Sequence, residues 1–150
     1  MIFQQLQRQR FLKRFPGPYD YRRSSDGVDE TFNVNCMNNG RYIISTYFWD
    51  AEQLREMITN VVTSALNRMA GWHDLVPHSF SVHFEEFQQL YPGPYSVRHD
   101  CCPGRGEFED VYCTTTNESV IQSYGTDGET RLIAKHIAAA LNQLPEHEFV

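Results

Sequence analysis

The chain has 150 residues, of which 41% are hydrophobic and 21% charged, and its formal net charge of −6 at pH 7 completes a composition typical of a soluble globular protein. No apolar run approaches the ~20 residues of a membrane span, and the first residues lack the apolar core of a secretory signal, so we expect a cytoplasmic protein with no membrane partner. The four cysteines include no C-x-x-C pair and do not predict a disulfide scaffold.

The first predicted element is a short helix at residues 3–6, which precedes a P-G-P-Y motif at residues 16–19. Proline fixes its own φ and disfavours a helical conformation in the residue before it, so the helix should end ahead of this motif. Between them lies a basic segment, residues 7–14. We interpret this segment as a helical insertion.

The positive charge is concentrated near the start of the sequence. Residues 1–23 hold six basic side chains and one acidic side chain, a net charge of +5, whereas the remainder carries −11. An acidic body repels polyanions, so contact with phosphate or with an acidic protein face would use this segment. The predicted partner-binding residues are Arg8, Arg10, Phe11, Lys13, Arg14, Arg22 and Arg23. The alternative is a solvated helix with its aromatic side chains packed inward.

Three strands are predicted next, at residues 19–22, 31–36 and 42–48. Aromatic and β-branched residues alternate with polar ones in these segments, as on half-buried strands. Asn38-Asn39-Gly40 predicts a hairpin turn between the second and third strands, because Asn-Gly readily adopts positive φ.

A long amphipathic helix follows at residues 54–69. Asp50 is the predicted N-cap, and Gln53 completes a possible capping box. Apolar residues recur at i, i+3, i+4 and i+7 along the segment, which predicts one continuous apolar stripe. Residues 70–83 are interpreted as a linker with one additional strand, because Phe80, Val82 and Phe84 alternate with polar residues.

The second half of the sequence repeats these signals in the same order. Residues 87–90 match residues 3–6, and a second P-G-P-Y motif follows at residues 92–95. Strands are predicted at residues 95–98, 108–113 and 119–124. A second amphipathic helix is predicted at residues 132–144, with Thr126 or Asp127 as its N-cap and Pro145 after its end.

Matching segments at nearly constant separation indicate a duplicated unit of about 60 residues. We therefore expect an α+β fold with two (α)βββα units, residues 1–69 and 84–150, joined by the linker at residues 70–83. A unit of this size is marginal alone. The two units are expected to fuse into one pseudo-two-fold body with antiparallel sheets, as a monomeric pseudo-dimer or a homodimer.

Catalytic and cofactor motifs are not found in the sequence. It contains no nucleophile elbow, phosphate-binding loop or H-E-x-x-H zinc motif. His99, Cys101, Cys102 and Cys113 offer soft zinc ligands, but incidental thiols in a turn are the favoured interpretation. Cys36 and Cys113 are expected to be buried small hydrophobic residues. We predict no cofactor, no metal and no catalytic residue, with an unrecognised enzyme as an alternative.

His136 occupies the position of Val61 on the apolar stripe of the second helix. We interpret it as a core or interface histidine. The alternative is a titrating switch, because the unperturbed pKa of histidine is about 6.5.

The unit order helix–strand–strand–strand–helix is similar to that of double-stranded-RNA-binding domains, with residues 94–97, 108–113 and 134–141 resembling the family's strands and final helix. This resemblance implies binding of duplex nucleic acid. The family's second helix opens with a lysine cluster that contacts phosphates. Asp127-Gly128-Glu129 and Asp50-Ala51-Glu52 stand there in this sequence.

Residues 126–142 also resemble the ends of small phage and mobile-element proteins, in which a β-meander precedes one alanine-rich helix. This resemblance implies a non-enzymatic protein that binds host machinery, such as an inhibitor of a bacterial defence complex. Binding to a host protein complex is therefore the expected function. Binding of double-stranded nucleic acid through the basic N-terminal segment is the alternative.

Overall fold

A computed structural model describes residues 2–25, 30–46, 52–75, 79–103, 106–125 and 127–144. Its elements in chain order are α1 (Ile2–Arg14), β1 (Tyr19–Ser25), β2 (Glu30–Cys36), β3 (Tyr42–Ser45), α2 (Glu52–Met69), a 3-10 turn (His73–Leu75), α3 (Phe80–Leu90), β4 (Tyr95–Cys102), β5 (Gly106–Cys113), β6 (Ser119–Tyr124) and α4 (Gly128–Asn142). The predicted α+β class and the three strands in each half are confirmed.

The strands form two antiparallel sheets, in the orders β1-β2-β3 and β4-β5-β6. The first sheet pairs Tyr19 with Cys36, and the second pairs Tyr95 with Cys113. Each central strand has a register shift at the same place, after Val34 in β2 and after Val111 in β5. The two sheets therefore share strand order, direction and the position of their irregularity.

Helix α2 is buried on every side along residues 57–67. It contacts β1, β2, α3 and α4. Its polar side chains are consequently buried as well as its apolar stripe, and those of Thr59, Asn60, Ser64 and Asn67 form hydrogen bonds. Thr59 lies 3.1 Å from Thr46 through their hydroxyls, and the amide of Asn60 donates to the hydroxyl of Ser79 at 3.0 Å. The predicted stripe thus accounts for only one of the faces that α2 buries.

The two halves share one hydrophobic core. Helix α1 packs against α4 and helix α3 against α2, so the first helix of each half contacts the last helix of the other. Strands β3 and β6 also contact each other, although they are not paired in one sheet. Phe11 and Phe87, both fully buried, belong to the same core cluster.

The basic segment at residues 7–14 is not an insertion, which corrects the prediction. Helix α1 runs without a break through Arg14, because the first helix-ending residue is Pro16. Phe11, and not Phe3, occupies the position of Phe87. The Phe11 ring lies 5.1 Å from Phe15, and the Phe87 ring lies 5.3 Å from Tyr91. The Phe-Gln-Gln-Leu match therefore joins residues that are not structurally equivalent.

The predicted strand in the linker is wrong. Residues 80–90 form helix α3, which buries Phe80, Phe84 and Phe87 at i, i+4 and i+7 spacing. Val82 is 59% exposed, so the alternation of Phe80, Val82 and Phe84 does not correspond to a buried strand face. Helix α3 also crosses the predicted boundary between the linker at 70–83 and the second unit at 84–150.

The end of β6 leads directly into a well-capped helix. The carboxylate of Asp127 accepts a hydrogen bond from the Thr130 backbone N–H at 2.9 Å, which makes Asp127 the N-cap of α4. The predicted N-cap Asp50, the alternative cap Thr126, strand residues 47–48 and Pro145 lie outside the described residues.

Candidate functional site

A groove of about 1050 Å³ with a basic lining is formed by three elements. They are the C-terminal turns of α1, the turn between β2 and β3, and the N-terminal turn of α4. We call this feature the basic groove. Its lining residues are Arg10, Lys13, Arg14, Asn39, Arg41, Asp127, Gly128, Glu129 and Leu132.

The packing of α1 directs its cations into this groove. Phe11 and Phe15 are fully buried and fix the apolar face of the helix against the core. The ring of Phe11 stacks on His136 of α4 with centroids 3.7 Å apart and planes 11° apart. Arg10, Lys13 and Arg14 lie on the opposite, exposed face. Phe11 was predicted to bind a partner, and its burial corrects that assignment.

Two contacts fix the walls of the groove. The Arg14 guanidinium forms an ion pair with the carboxylate of Glu129 on α4. The side-chain amide of Asn39, in the β2–β3 turn, donates to the Arg14 carbonyl at 2.9 Å. Arg14 therefore joins all three elements, and the shape of the groove is set before any ligand arrives.

The groove carries an excess of positive charge. Four cations line it, and the two carboxylates are Asp127 and Glu129. The Thr130 backbone N–H, the Thr130 hydroxyl and the nearby Arg14 lower the pKa of Asp127, so this carboxylate is ionised. Within the described residues, Arg10 and Lys13 form no ion pair or hydrogen bond through their side chains. These two charges are available to a ligand.

The remaining predicted residues lie elsewhere. Arg8 donates to the carbonyl of Met69 at 2.7 Å, at the C-terminal end of α2, where a cation also favours the helix dipole. Arg22 pairs with Asp20 at 3.0 Å on the outer face of the first sheet. Arg22 and Arg23 line a separate pocket of about 320 Å³ with Asn33. The seven predicted residues thus form no single surface, and three of them line the groove.

Asn39 and Arg41 are groove residues that the sequence analysis missed. Asn39 lies in the predicted hairpin turn, and Arg41 comes directly after that turn. The guanidinium carbon of Arg41 lies 6.0 Å from the centroid of the Phe15 ring. The turn itself was readable from Asn38-Asn39-Gly40. Its packing beside the end of α1 is a tertiary contact for which the sequence has no local signal.

A second polar cluster occupies the outer face of the second sheet. Asp110, almost completely buried, accepts hydrogen bonds from the Ser119 hydroxyl and from the Arg98 guanidinium, the latter at 2.9 Å. Burial raises the pKa of Asp110, while Ser119 and Arg98 oppose that shift. Arg98 also lies 4.1 Å above the Tyr112 ring. Both Asp110 oxygens are engaged, so the cluster is a closed structural network.

His99 is held between two carboxylates at the end of the second sheet. Its ring nitrogens lie 3.3 Å from Glu107 and 3.4 Å from Glu109. These hydrogen bonds, with that of Glu107 the larger, raise the pKa of His99. Across the described parts of the chain, no three His, Cys, Asp or Glu side chains are arranged to hold a metal ion. Cys36 and Cys113 are buried as predicted, and both are free thiols.

His136 is a core residue, as the sequence analysis expected. Burial, reinforced by the positive charge of Arg8, lowers its pKa to about 3. The imidazole is therefore neutral across the physiological range, which is the opposite of what a switch near neutral pH requires.

None of the helices in the described part of the chain combines the length and the apolar character needed to cross a membrane. Comparison of the chain with protein-family models, with curated proteins and with solved structures finds no match.

Proposed function

We propose that this protein is a non-enzymatic binding protein whose basic groove docks on an acidic surface of another protein. The observation that carries the proposal is the pair Arg10 and Lys13, which project into a preformed groove with no counter-ion among the described residues. These unpaired cations complement an acidic surface. Because the groove walls are already held in place, binding does not have to order them.

The mixed charge of the groove favours a protein partner over nucleic acid. Asp127 and Glu129 stand among the cations, and residues 24–150 carry a net charge of −11. A duplex presents a continuous track of phosphates, which needs a continuous basic surface. An acidic protein face presents separated carboxylates with donors between them, and this alternation suits a groove with both signs of charge.

The partner class follows from the resemblance of residues 126–142 to small phage and mobile-element proteins. On that resemblance we propose a host protein complex as the partner, with inhibition of a bacterial defence system as the consequence of occlusion and the cytoplasm as the location. Duplex nucleic acid, suggested by the similarity to double-stranded-RNA-binding domains, is the competing candidate for the same groove.

We also propose that the fold arose by head-to-tail duplication of one αβββα unit. Support comes from equivalent contacts in both halves. Tyr19 and Asn67 share two hydrogen bonds, and Tyr95 and Asn142 share the same two. The glycines of the two P-G-P-Y motifs have φ of 83° and 81°. After duplication, the basic groove would have become specific to the first unit, because Glu86 stands on α3 where α1 has Arg10.

The chemistry of the groove can be tested by NMR titration with an oligoglutamate peptide and, separately, with duplex RNA at physiological salt. The proposal expects amide shifts at α1 and at Gly128 with the peptide, and weakening by at least about tenfold in the variant R10E/K13E. The variant R22E/R23E has the same net charge and is the matched control, expected to bind like the native chain. Stronger binding of the duplex than of the peptide would favour the nucleic-acid alternative. Equal weakening by both variants would contradict a role specific to the groove.

A further inference from the structure

Helices α1 and α3 expose faces with the same geometry. In α1 the exposed positions include residues 5, 6, 9, 10, 13 and 14, and in α3 they are residues 81, 82, 85, 86, 89 and 90. Each exposed position of α3 lies the same number of residues after its counterpart in α1 as Phe87 lies after Phe11. The two sets therefore correspond one to one, because Phe11 and Phe87 anchor the two helices in equivalent ways. Each helix therefore presents an outer stripe of the same length and spacing.

The two stripes have complementary chemistry. The α1 stripe carries Arg10, Lys13 and Arg14 with no acid, whereas the α3 stripe carries Glu85 and Glu86 with no Lys or Arg. Both stripes also include exposed apolar side chains. Leu6 of α1 is 45% exposed, and Val82 and Leu90 of α3 are 59% and 46% exposed. Exposed apolar groups beside charges of one sign are typical of a surface that associates with another protein.

Both acidic side chains of α3 are free of ion pairs within the part of the chain that the structure describes. Glu85 and Glu86 form no ion pair with the described residues, and the same is true of Arg10 and Lys13. Arg14 differs, because it pairs with Glu129. Among the described residues, the α1 stripe therefore has two positive side chains without an ion pair, and the α3 stripe has two negative ones.

We propose that a second copy of this chain docks its α3 stripe on the α1 stripe of the first, with the two helices antiparallel. One register then places Arg10 opposite Glu86 and Leu6 opposite Leu90. The neighbouring row places Lys13 beside Glu85. A parallel arrangement would keep the Arg10–Glu86 pair but would bring Lys13 to Gln89, and it would also align the helix dipoles unfavourably. The antiparallel arrangement is favoured because it forms two ion pairs.

This association joins two different surfaces of the same chain, so it is heterologous. It does not depend on the proposed function, although both use Arg10 and Lys13. An acidic partner in the groove and a second copy would therefore compete for α1. Two exposed ion pairs contribute little each, so the association should be weak and sensitive to salt.

Sedimentation velocity of the purified chain at increasing concentration tests the inference. The weight-average sedimentation coefficient should rise with concentration at low salt and rise less at high salt. The variants R10E and E86R should each remain monomeric, because each places like charges opposite one another. An equimolar mixture of these two variants should associate, since every contact between them again joins opposite charges.

Controls of equal charge change are R131E and E118R, whose exposed positions lie outside both stripes. These controls should associate like the native chain, and circular dichroism checks that every variant is folded. A native chain that stays monomeric at all concentrations, or a mixture of R10E and E86R that stays monomeric, would overturn the inference. The E86R variant retains the groove cations, so its binding of the oligoglutamate peptide separates a failure of self-association from a failure of the proposed function.

Discussion

Asn67 and Tyr19, 48 residues apart, are joined by two hydrogen bonds between the end of α2 and the start of β1. The Tyr19 backbone N–H donates to the Asn67 side-chain oxygen at 2.8 Å, and the Asn67 side-chain amide donates to the Tyr19 carbonyl at 2.9 Å. Asn142 and Tyr95 repeat both bonds at 2.8 and 2.9 Å between α4 and β4. The first pair is buried, whereas the second is exposed.

The difference in burial predicts unequal losses of stability. Asn67→Ala leaves two buried backbone groups without a partner, at about 1–3 kcal/mol each, whereas water can replace the exposed bonds lost in Asn142→Ala, at about 0.5–1.5 kcal/mol. Urea denaturation should therefore show a clearly larger decrease in the free energy of unfolding for Asn67→Ala. Equal decreases would mean that the pair at Tyr19 does not exclude water.

Gly17 and Gly71 offer a matched test of close packing. Both have positive φ, 83° and 93°, so alanine is strained by about 1–2 kcal/mol at either position. A Cβ at Gly17 would lie 2.9 Å from the indole nitrogen of Trp72, whereas nothing lies within 4 Å of one at Gly71. Gly17→Ala should cost about 1–3 kcal/mol more than Gly71→Ala in thermal or chemical unfolding. A similar cost for both would show that the Trp72 and Tyr19 rings move aside freely.

The buried imidazole of His136 predicts a loss of stability in acid. Its folded pKa of about 3 lies below the ordinary value of 6.5, so the unfolded chain takes up a proton first as the pH falls. Stability from this group is complete above its unfolded pKa and decreases by about 2 kcal/mol between roughly pH 7 and pH 5. His136→Val, which places the residue found at position 61, should remove this component. The prediction is wrong if the native chain and the His136→Val variant lose the same free energy of unfolding between about pH 7 and pH 5.

The pKa of His99 should shift in the opposite direction. Hydrogen bonds to Glu107 and Glu109 favour the protonated imidazole, so its pKa should exceed the ordinary value in an NMR titration of the ring protons. Glu107→Gln removes the larger contribution and should lower this pKa. Glu118→Gln, an exposed change in the β5–β6 turn, is the control and should leave it unchanged.

Local periodicity predicted most of the fold. The helix expected at residues 54–69 is observed as Glu52–Met69, and the strand expected at residues 119–124 has those bounds. The prediction for residues 80–84 is wrong because Phe80, Val82 and Phe84 fit the strand period, while Phe80 and Phe84 also fit the i, i+4 spacing of a helix. Phe87, one turn later and also buried, distinguishes the helix from the strand, but in the sequence it also belongs to the Phe-Gln-Gln-Leu match.

The candidate site could be predicted only in part. The concentration of cations before residue 15 identified Arg10, Lys13 and Arg14, because net charge is a property of the sequence. Phe11 was grouped with them, although its spacing to Phe15 is that of a buried helix face. Glu129, Asn39 and Arg41 reach the groove through tertiary packing of α4 and the β2–β3 turn, which no local pattern encodes.

Site-specific photo-crosslinking in a bacterial lysate tests the binding proposal most directly. A photoreactive phenylalanine derivative would replace Gln9 on α1 or, as a control at an exposed glutamine of the other stripe, Gln89 on α3. The proposal predicts one discrete crosslinked protein from position 9, different from a second copy of this chain, that is lost in the R10E/K13E background and is not obtained from position 89. Equal yields of that partner protein from both positions, or its persistence at position 9 in the R10E/K13E background, would contradict the proposal.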